Sequence, residues 1–134
     1  MRVVADTNVL VSALIFPGGS PEAVYRLALE GKIELVTSRP LLAELGRVLT
    51  EKFAWEPERA EEAVAQLVRL SEIVEPRATI SEIEADPADN RVLEAAAEGQ
   101  ADAIVSGDRH LLALKAWRGV VVQSPAAFLG RLAG

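Results

Sequence analysis

The chain has 134 residues, half of them apolar, a quarter charged and 4% aromatic, a balance that suits one globular domain and argues against disorder. It contains no cysteine, which excludes a disulfide framework and any thiolate metal site and leaves oxygen ligands plus the lone imidazole of His110. A net charge of −6 excludes broad, charge-driven binding to nucleic acid, but not an enzyme that holds a few nucleotides over an acidic site.

The apolar start, "MRVVADTNVLVSALIF", is broken by Asp6 and Asn8, and no small-residue cleavage site follows. No run nears the roughly 20 apolar residues of a membrane span, so a cytoplasmic protein is expected. Arg2–Ala5 reads as a first strand and Asn8–Ile15 as a short helix stopped by "FPGGSP". Ser20 is placed to cap the next helix, with Pro21 at its first position and Glu30 near its end. Lys32–Thr37 is a second strand. Ser38 and Pro40 repeat the cap-and-proline start, and that helix continues to about Lys52.

Pro57–Leu70 carries Ala60, Ala63, Val64 and Leu67 at helical spacing. Glu72–Val74 fits a short strand, and a polar link, "EPRATISEIEA", leads to "DPADNRVLEAAAEG". There Asp86 is expected as N-cap, Pro87 as the first helical residue and Gly99 as the stop. The chain closes with a strand at Ala103–Val105, a short helix after Asp108, a strand at Gly119–Val122 and a helix capped by Ser124 ahead of Pro125. Short apolar strands alternating with helices predict an α/β fold whose mainly parallel sheet is covered on both faces.

Ligands of such sheets sit beyond the carboxyl ends of the strands, and Asp6 and Asp108 both fall at that edge. Each also has a plain reading, because aspartate is a favoured N-cap. Asp86, followed by proline, is left as a cap. Asp89 differs: it shares a helix face with Val92, Leu93 and Ala96, and a carboxylate facing a core is costly unless paired or bound to metal. Glu44 lies within the apolar stripe of Leu41, Leu45, Val48 and Leu49; alone, it also fits a glutamate at the stripe's margin reaching to water. Taken together, Asp6, Glu44, Asp89 and Asp108 would repel one another, and a divalent cation relieves that repulsion. Asp102 precedes its strand, at the opposite edge, and reads as structural. His110 reads as inert.

The strings "VVADTNVLVSAL", "LLAEL", "DPADNRVLEAA" and "ADAIVSGDRHLL" resemble, in order and spacing, the motif series of the PIN domain family. The first motif with its "GGSP" is most similar to VapC-like members, the toxins of toxin–antitoxin pairs. The resemblance covers nearly the whole chain. It implies a three-layer α/β/α sandwich around a sheet of about five strands, in one domain, and a metal-dependent ribonuclease. By position it makes Asp6, Glu44, Asp89 and Asp108 the catalytic, metal-holding acids, with Asn8 and Ser106 in support and Mg²⁺ or Mn²⁺ as cofactor. It further implies an RNA substrate, cleavage leaving a 5′-phosphate and a 3′-hydroxyl, a cognate antitoxin and a homodimer.

Arg39 and Arg109, each placed just after a strand end, are candidates to contact phosphate and equally fit ordinary solvated arginines. Trp55 and Trp117 are among the few platforms for base stacking. The helices at 8–15 and 60–70 are candidate partner surfaces. An aspartyl phosphotransferase would need a lysine across the site, and Lys32, Lys52 and Lys115 are badly placed for one. An RNA-processing nuclease without a toxin role, or a non-catalytic module using its acids as caps or docks, stays open.

Overall fold

The computed structural model describes residues 1–133. Six strands form one sheet in the order β3-β2-β1-β4-β6-β5. In chain order these are β1 (Arg2–Ala5), β2 (Glu34–Ser38), β3 (Ser71–Val74), β4 (Ala103–Val105), β5 (Ala116–Trp117) and β6 (Val120–Gln123). All neighbours pair in parallel except β5 with β6. The helices are α1 (Thr7–Ile15), α2 (Ser20–Leu29), α3 (Arg39–Glu51), α4 (Pro57–Leu70), α5 (Asp89–Glu98), α6 (Arg109–Ala113) and α7 (Pro125–Ala133).

The period of two along the strands sorts residues between two cores. Val3, Ala5, Leu35, Ala103 and Val105 pack on one face, against Val9, Val24, Leu45, Leu67 and Phe128 of α1, α2, α3, α4 and α7. Val4, Val36 and Ile104 point to the other face, toward Val92, Leu93 and Ala96 of α5, Leu111 of α6, and Ile80 and Ile83 of the link. Both faces are therefore covered, as a parallel sheet requires.

Gly99 closes α5 where the helix meets β2. A Cβ there would stand 2.4 Å from Val36 Cγ1 and 3.1 Å from the Ala95 carbonyl, so close approach, besides helix termination, excludes a side chain.

Three local expectations change. The sheet has one strand more than expected, because β5 and β6 form a hairpin whose Arg118 and Gly119 both have positive φ, 50° and 80°. Such a two-residue turn matches strand twist, and an Arg-Gly pair is a weak signal for it. Gly19, not Ser20, is the N-cap of α2. Helix α5 begins at Asp89, not Pro87, because Asp86, Pro87 and Ala88 form a separate turn ahead of it.

Candidate active site

The chain leaves β1 toward β2 and β3 on one side and returns through β4 on the other, so β1 and β4 flank the point where strand order reverses. Crevices form there because the helices that follow the two strands diverge. Ala5 is opposite Val105 in the register, which makes Asp6 and Ser106 neighbours one residue beyond the pairing. The Asp6 N–H still donates to the Val105 carbonyl at 2.9 Å, extending the ladder into the site. Ser106 is fully buried; its hydroxyl donates to Asp6 Oδ2 at 2.7 Å and accepts from the Asp108 N–H at 2.9 Å. One serine thus ties together the two strand-end aspartates.

Asp108 is the N-cap of α6. Its Oδ1 accepts from the N–H groups of His110 and Leu111, at 2.8 and 3.2 Å. Capping occupies one oxygen and leaves the other for the site, so the cap and the ligand readings of Asp108 are compatible.

Asp89 and Asp86 reach the site from the other layer. The link ahead of α5 has no ladder of its own; side chains of the helix hold it instead. Asn90 both accepts from the Ile83 N–H at 2.9 Å and donates to the Ile83 carbonyl at 2.8 Å. Glu94 Oε2 accepts from the Ile80 N–H at 2.9 Å, and Glu98 Oε1 from the Arg77 N–H at 3.0 Å. Asn90, Glu94 and Glu98 recur every four residues, so they line one side of the helix. That polar line was legible in the sequence and is absent from the reading above. It sets the course of the chain into Asp86 and the turn that follows.

Asp86, Asp89 and Asp108 each offer a carboxylate oxygen within 4.8 Å of the others. Asp89 is 7% exposed, and its Oδ2 is buried without a hydrogen-bond partner. Glu44, half-buried on α3, stands nearest in charge to Asp6 and feels Asp86 as well. Among the described residues no ion pair includes any of these five acids.

The electrostatics record that crowding. Burial pushes the Asp6 carboxyl up, against lowering by the Ser106 hydroxyl and the Asn8 amide. Burial and then Asp6 raise Glu44. Asp89 is pushed up to about 7 by burial, by a hydrogen bond shared with Asp108, and by the charges of Asp108, Asp86 and Asp6. Burial acts upward on Asp108 too, but the Leu111 amide and the hydrogen bond with Asp89 outweigh it and hold this carboxyl low. The two carboxyls are thus pushed in opposite directions, Asp89 up and Asp108 down. An orphaned carboxylate oxygen among hard oxygen donors fits a divalent cation, which would favour the charged form of both.

The remaining candidates divide. Asn8 is exposed; its backbone, not its side chain, acts on Asp6. Arg109 lines a cavity of about 620 Å³ beside Asp108, shared with Asn8, Ser12, Ser20 and Ser124. Arg39 is outside that cavity; its side chain is 81% exposed and pairs with Glu75 at 3.5 Å. The tryptophans are not stacking platforms. Trp117 is core, 6% exposed, with Arg118 at 4.4 Å over its ring, and Trp55 is covered by Arg59 at 3.8 Å. Asp102 is structural, its Oδ2 accepting from the Arg2 N–H at 2.8 Å.

Comparison with known proteins bears on this arrangement. A model of the PIN domain matches residues 2–110, a span that contains all five acids. An uncharacterized protein of Methanocaldococcus jannaschii is 33% identical over 119 residues, which cover 86% of this chain and 76% of that protein. Among solved structures, VapBC2 from Rickettsia felis, bound to a DNA fragment from their promoter, aligns with a TM-score of 0.63. The alignment covers 92% of this chain and 98% of that one at 15% identity, a likeness of fold. With its acids gathered where the strand order reverses, this chain belongs to the PIN domain family, whose members are generally nucleases.

Proposed function

We propose that the protein is a metal-dependent endoribonuclease, one PIN domain that hydrolyses RNA phosphodiester bonds as the toxin of a toxin–antitoxin pair. The observation that carries this reading is the set of carboxylates at the strand-order reversal, in no ion pair among the described residues and containing a buried oxygen without a partner. Asp6, Glu44, Asp89 and Asp108 are the acids assigned to catalysis, and Mg²⁺ or Mn²⁺ is the assigned cofactor. A divalent ion held there supplies positive charge to the scissile phosphate and lowers the pKa of water.

The chain's own residues do the rest. Ser106 fixes Asp6 and Asp108 relative to each other. Asp89, on the inward face of α5, would help hold the metal and orient the attacking water. Water attacks phosphorus, the bond to the 3′ oxygen breaks, and that oxygen gains a proton, leaving a 5′-phosphate and a 3′-hydroxyl. Arg109, on the wall of the adjoining cavity, is positioned to contact a flanking phosphate. No structural observation favours Arg39 in that role.

The toxin assignment draws on the likeness to VapBC2, a complex with an antitoxin. An antitoxin arginine would suit the acidic crevice, with α1 and α4 as further contact surfaces and a homodimer as the assembly. No helix among the described residues is long and apolar enough to cross a membrane, consistent with the cytoplasmic location this reading requires.

The test is cleavage of total cellular RNA by purified protein with Mn²⁺ or Mg²⁺, against EDTA and Asp108→Asn, with product ends mapped. Cuts that need both metal and Asp108 and leave 5′-phosphates support the reading. Metal-independent cuts, or cuts retained by Asp108→Asn, overturn it. Growth arrest on expression, lost in Asp108→Asn, separates a toxin from a housekeeping nuclease.

A further inference from the structure

The segment Asp86-Pro87-Ala88-Asp89 places two carboxylates three residues apart across a proline, and the sequence accounts for the first as a helix cap. The structure gives it a second position. The Asp89 N–H donates to the Asp86 carbonyl at 3.0 Å, and the Ala88 N–H donates to Asp86 Oδ1 at 3.1 Å. The tight turn brings the Asp86 carboxylate back over the start of α5, and the bond to Ala88 fixes its orientation.

From that geometry we infer that Asp86 is a metal ligand of this site, binding a divalent cation together with Asp89 and Asp108. This rests on the reading of the crevice as a metal centre and adds a fifth acid to the four assigned above.

The physical case has three parts. The turn bond to Ala88 needs one acceptor and no charge, and asparagine or serine makes the same bond. A carboxylate has two oxygens and about four acceptor directions, so that bond leaves most of its capacity free. The Asp86 carboxylate, moreover, lies beside those of Asp89 and Asp108, and among the described residues no arginine or lysine pairs with it. An uncharged turn residue would spare the fold that crowding of charge, whereas a bound cation converts it into attraction.

The independent pointer is Asp89 Oδ2, buried and without a partner. Ligand oxygens from all three residues lie within 4.8 Å of one another. Around Mg²⁺ neighbouring ligand oxygens stand about 3 Å apart and opposite ones about 4.2 Å, so a bound cation would draw these three carboxylates inward. Asp86 and Asp108 are both half-exposed; Asp86 is on a turn that can move inward, while Asp108 is held by its cap and Asp89 by its helix.

The experiment is Mn²⁺ titration by calorimetry of the full chain, with thermal melts of the metal-free protein. The variants are Asp86→Asn, Asp86→Ser and Asp108→Asn. Because asparagine and serine keep the turn bond to the Ala88 N–H, the expected result is an unchanged or higher metal-free Tm. Mn²⁺ affinity should fall by about 10- to 100-fold in both Asp86 variants. Mn²⁺ affinity equal to wild type in Asp86→Asn and Asp86→Ser, with affinity lost in Asp108→Asn, would overturn the role of Asp86 and leave the metal centre standing. A wild-type protein that binds no Mn²⁺ would overturn both. None of these readouts depends on finding the RNA substrate.

Discussion

At the amino edge of the sheet, Arg2 gathers the acids around it. Its guanidinium meets Glu34 at 2.9 Å and Glu72 at 2.6 Å, its Nε donates to the Gly99 carbonyl at 2.8 Å, and its backbone N–H is taken by Asp102. At the carboxyl edge, Asp6, Glu44, Asp86, Asp89 and Asp108 gather, and among the described residues no arginine or lysine forms an ion pair with them. The Arg2 guanidinium holds Glu72 below the usual carboxylate range, whereas burial and mutual repulsion raise Asp6, Glu44 and Asp89. The same residue type thus does opposite work at the two ends of the same strands. One end is neutralised within the chain and exposed to water. The other is left in deficit, with Asp6 and Asp89 buried, and on that contrast the proposed metal centre rests.

The comparison breaks most decisively at the carboxyl edge. Asp6→Asn or Asp108→Asn is expected to lower RNA cleavage by at least about 100-fold, while the metal-free Tm stays the same or rises in Asp6→Asn, where an opposed charge has gone, and falls slightly in Asp108→Asn, which keeps the cap but loses a favoured charge. Cleavage assays beside thermal melts check this, and a collapsed melt with activity lost would point instead to a structural role. Ser106→Ala is expected to lower Mn²⁺ affinity by about 10-fold or more, through lost alignment of Asp6 and Asp108. Calorimetry reads that effect without substrate.

A pH series sharpens the contrast. Asp89 is pushed up to about 7 in the folded protein, against 3.8 for an ordinary aspartate, so between those values the folded state binds more protons than the unfolded one. The metal-free protein should therefore lose stability as pH rises through that window, with Asp6 and Glu44 acting in the same direction. Asp108, held low, contributes the opposite dependence, confined to acid. Mn²⁺ should reverse the loss, raising Tm more at pH 8 than at pH 5. A melt whose Tm rises with pH across the window without metal would contradict the raised Asp89.

Between the two edges, Gly99→Ala presses a Cβ on Val36 and is expected to cost about 1–3 kcal/mol in denaturant unfolding. The smallest effect belongs to the amino edge. Glu72→Gln should change Tm only slightly, and that change should vanish in high salt, because exposed pairs are screened. It should leave Mn²⁺ affinity untouched.

Much of this architecture was legible along the chain. Strand and helix periods placed β1, β2, β3 and β4, and α4 matches at both ends, since Pro57 opens it and its apolar stripe ends with it. Asp6 and Asp108 were legible because a polar residue ending an apolar strand stands out, and Asp89 because a helix face betrayed it. The approach of Asp86 to the others was not, since its local role as a turn acceptor is sufficient in sequence terms and its proximity to Asp108, the cap of α6, is set by the fold. Trp117 was misjudged for a related reason: whether an aromatic ring is a platform or core depends on what covers it, and here the hairpin turn folds Arg118 across it.

The sequence by itself determined the alternation of elements, the parallel sheet that alternation demands, and the edge on which its acids fall, because period and punctuation are local properties of the chain. Only the tertiary structure decided which acids meet. The distance between Asp86, Asp89 and Asp108 depends on the β1–β4 register, on the buried hydroxyl of Ser106 and on the side chains by which α5 holds the link, contacts that join residues far apart in the chain.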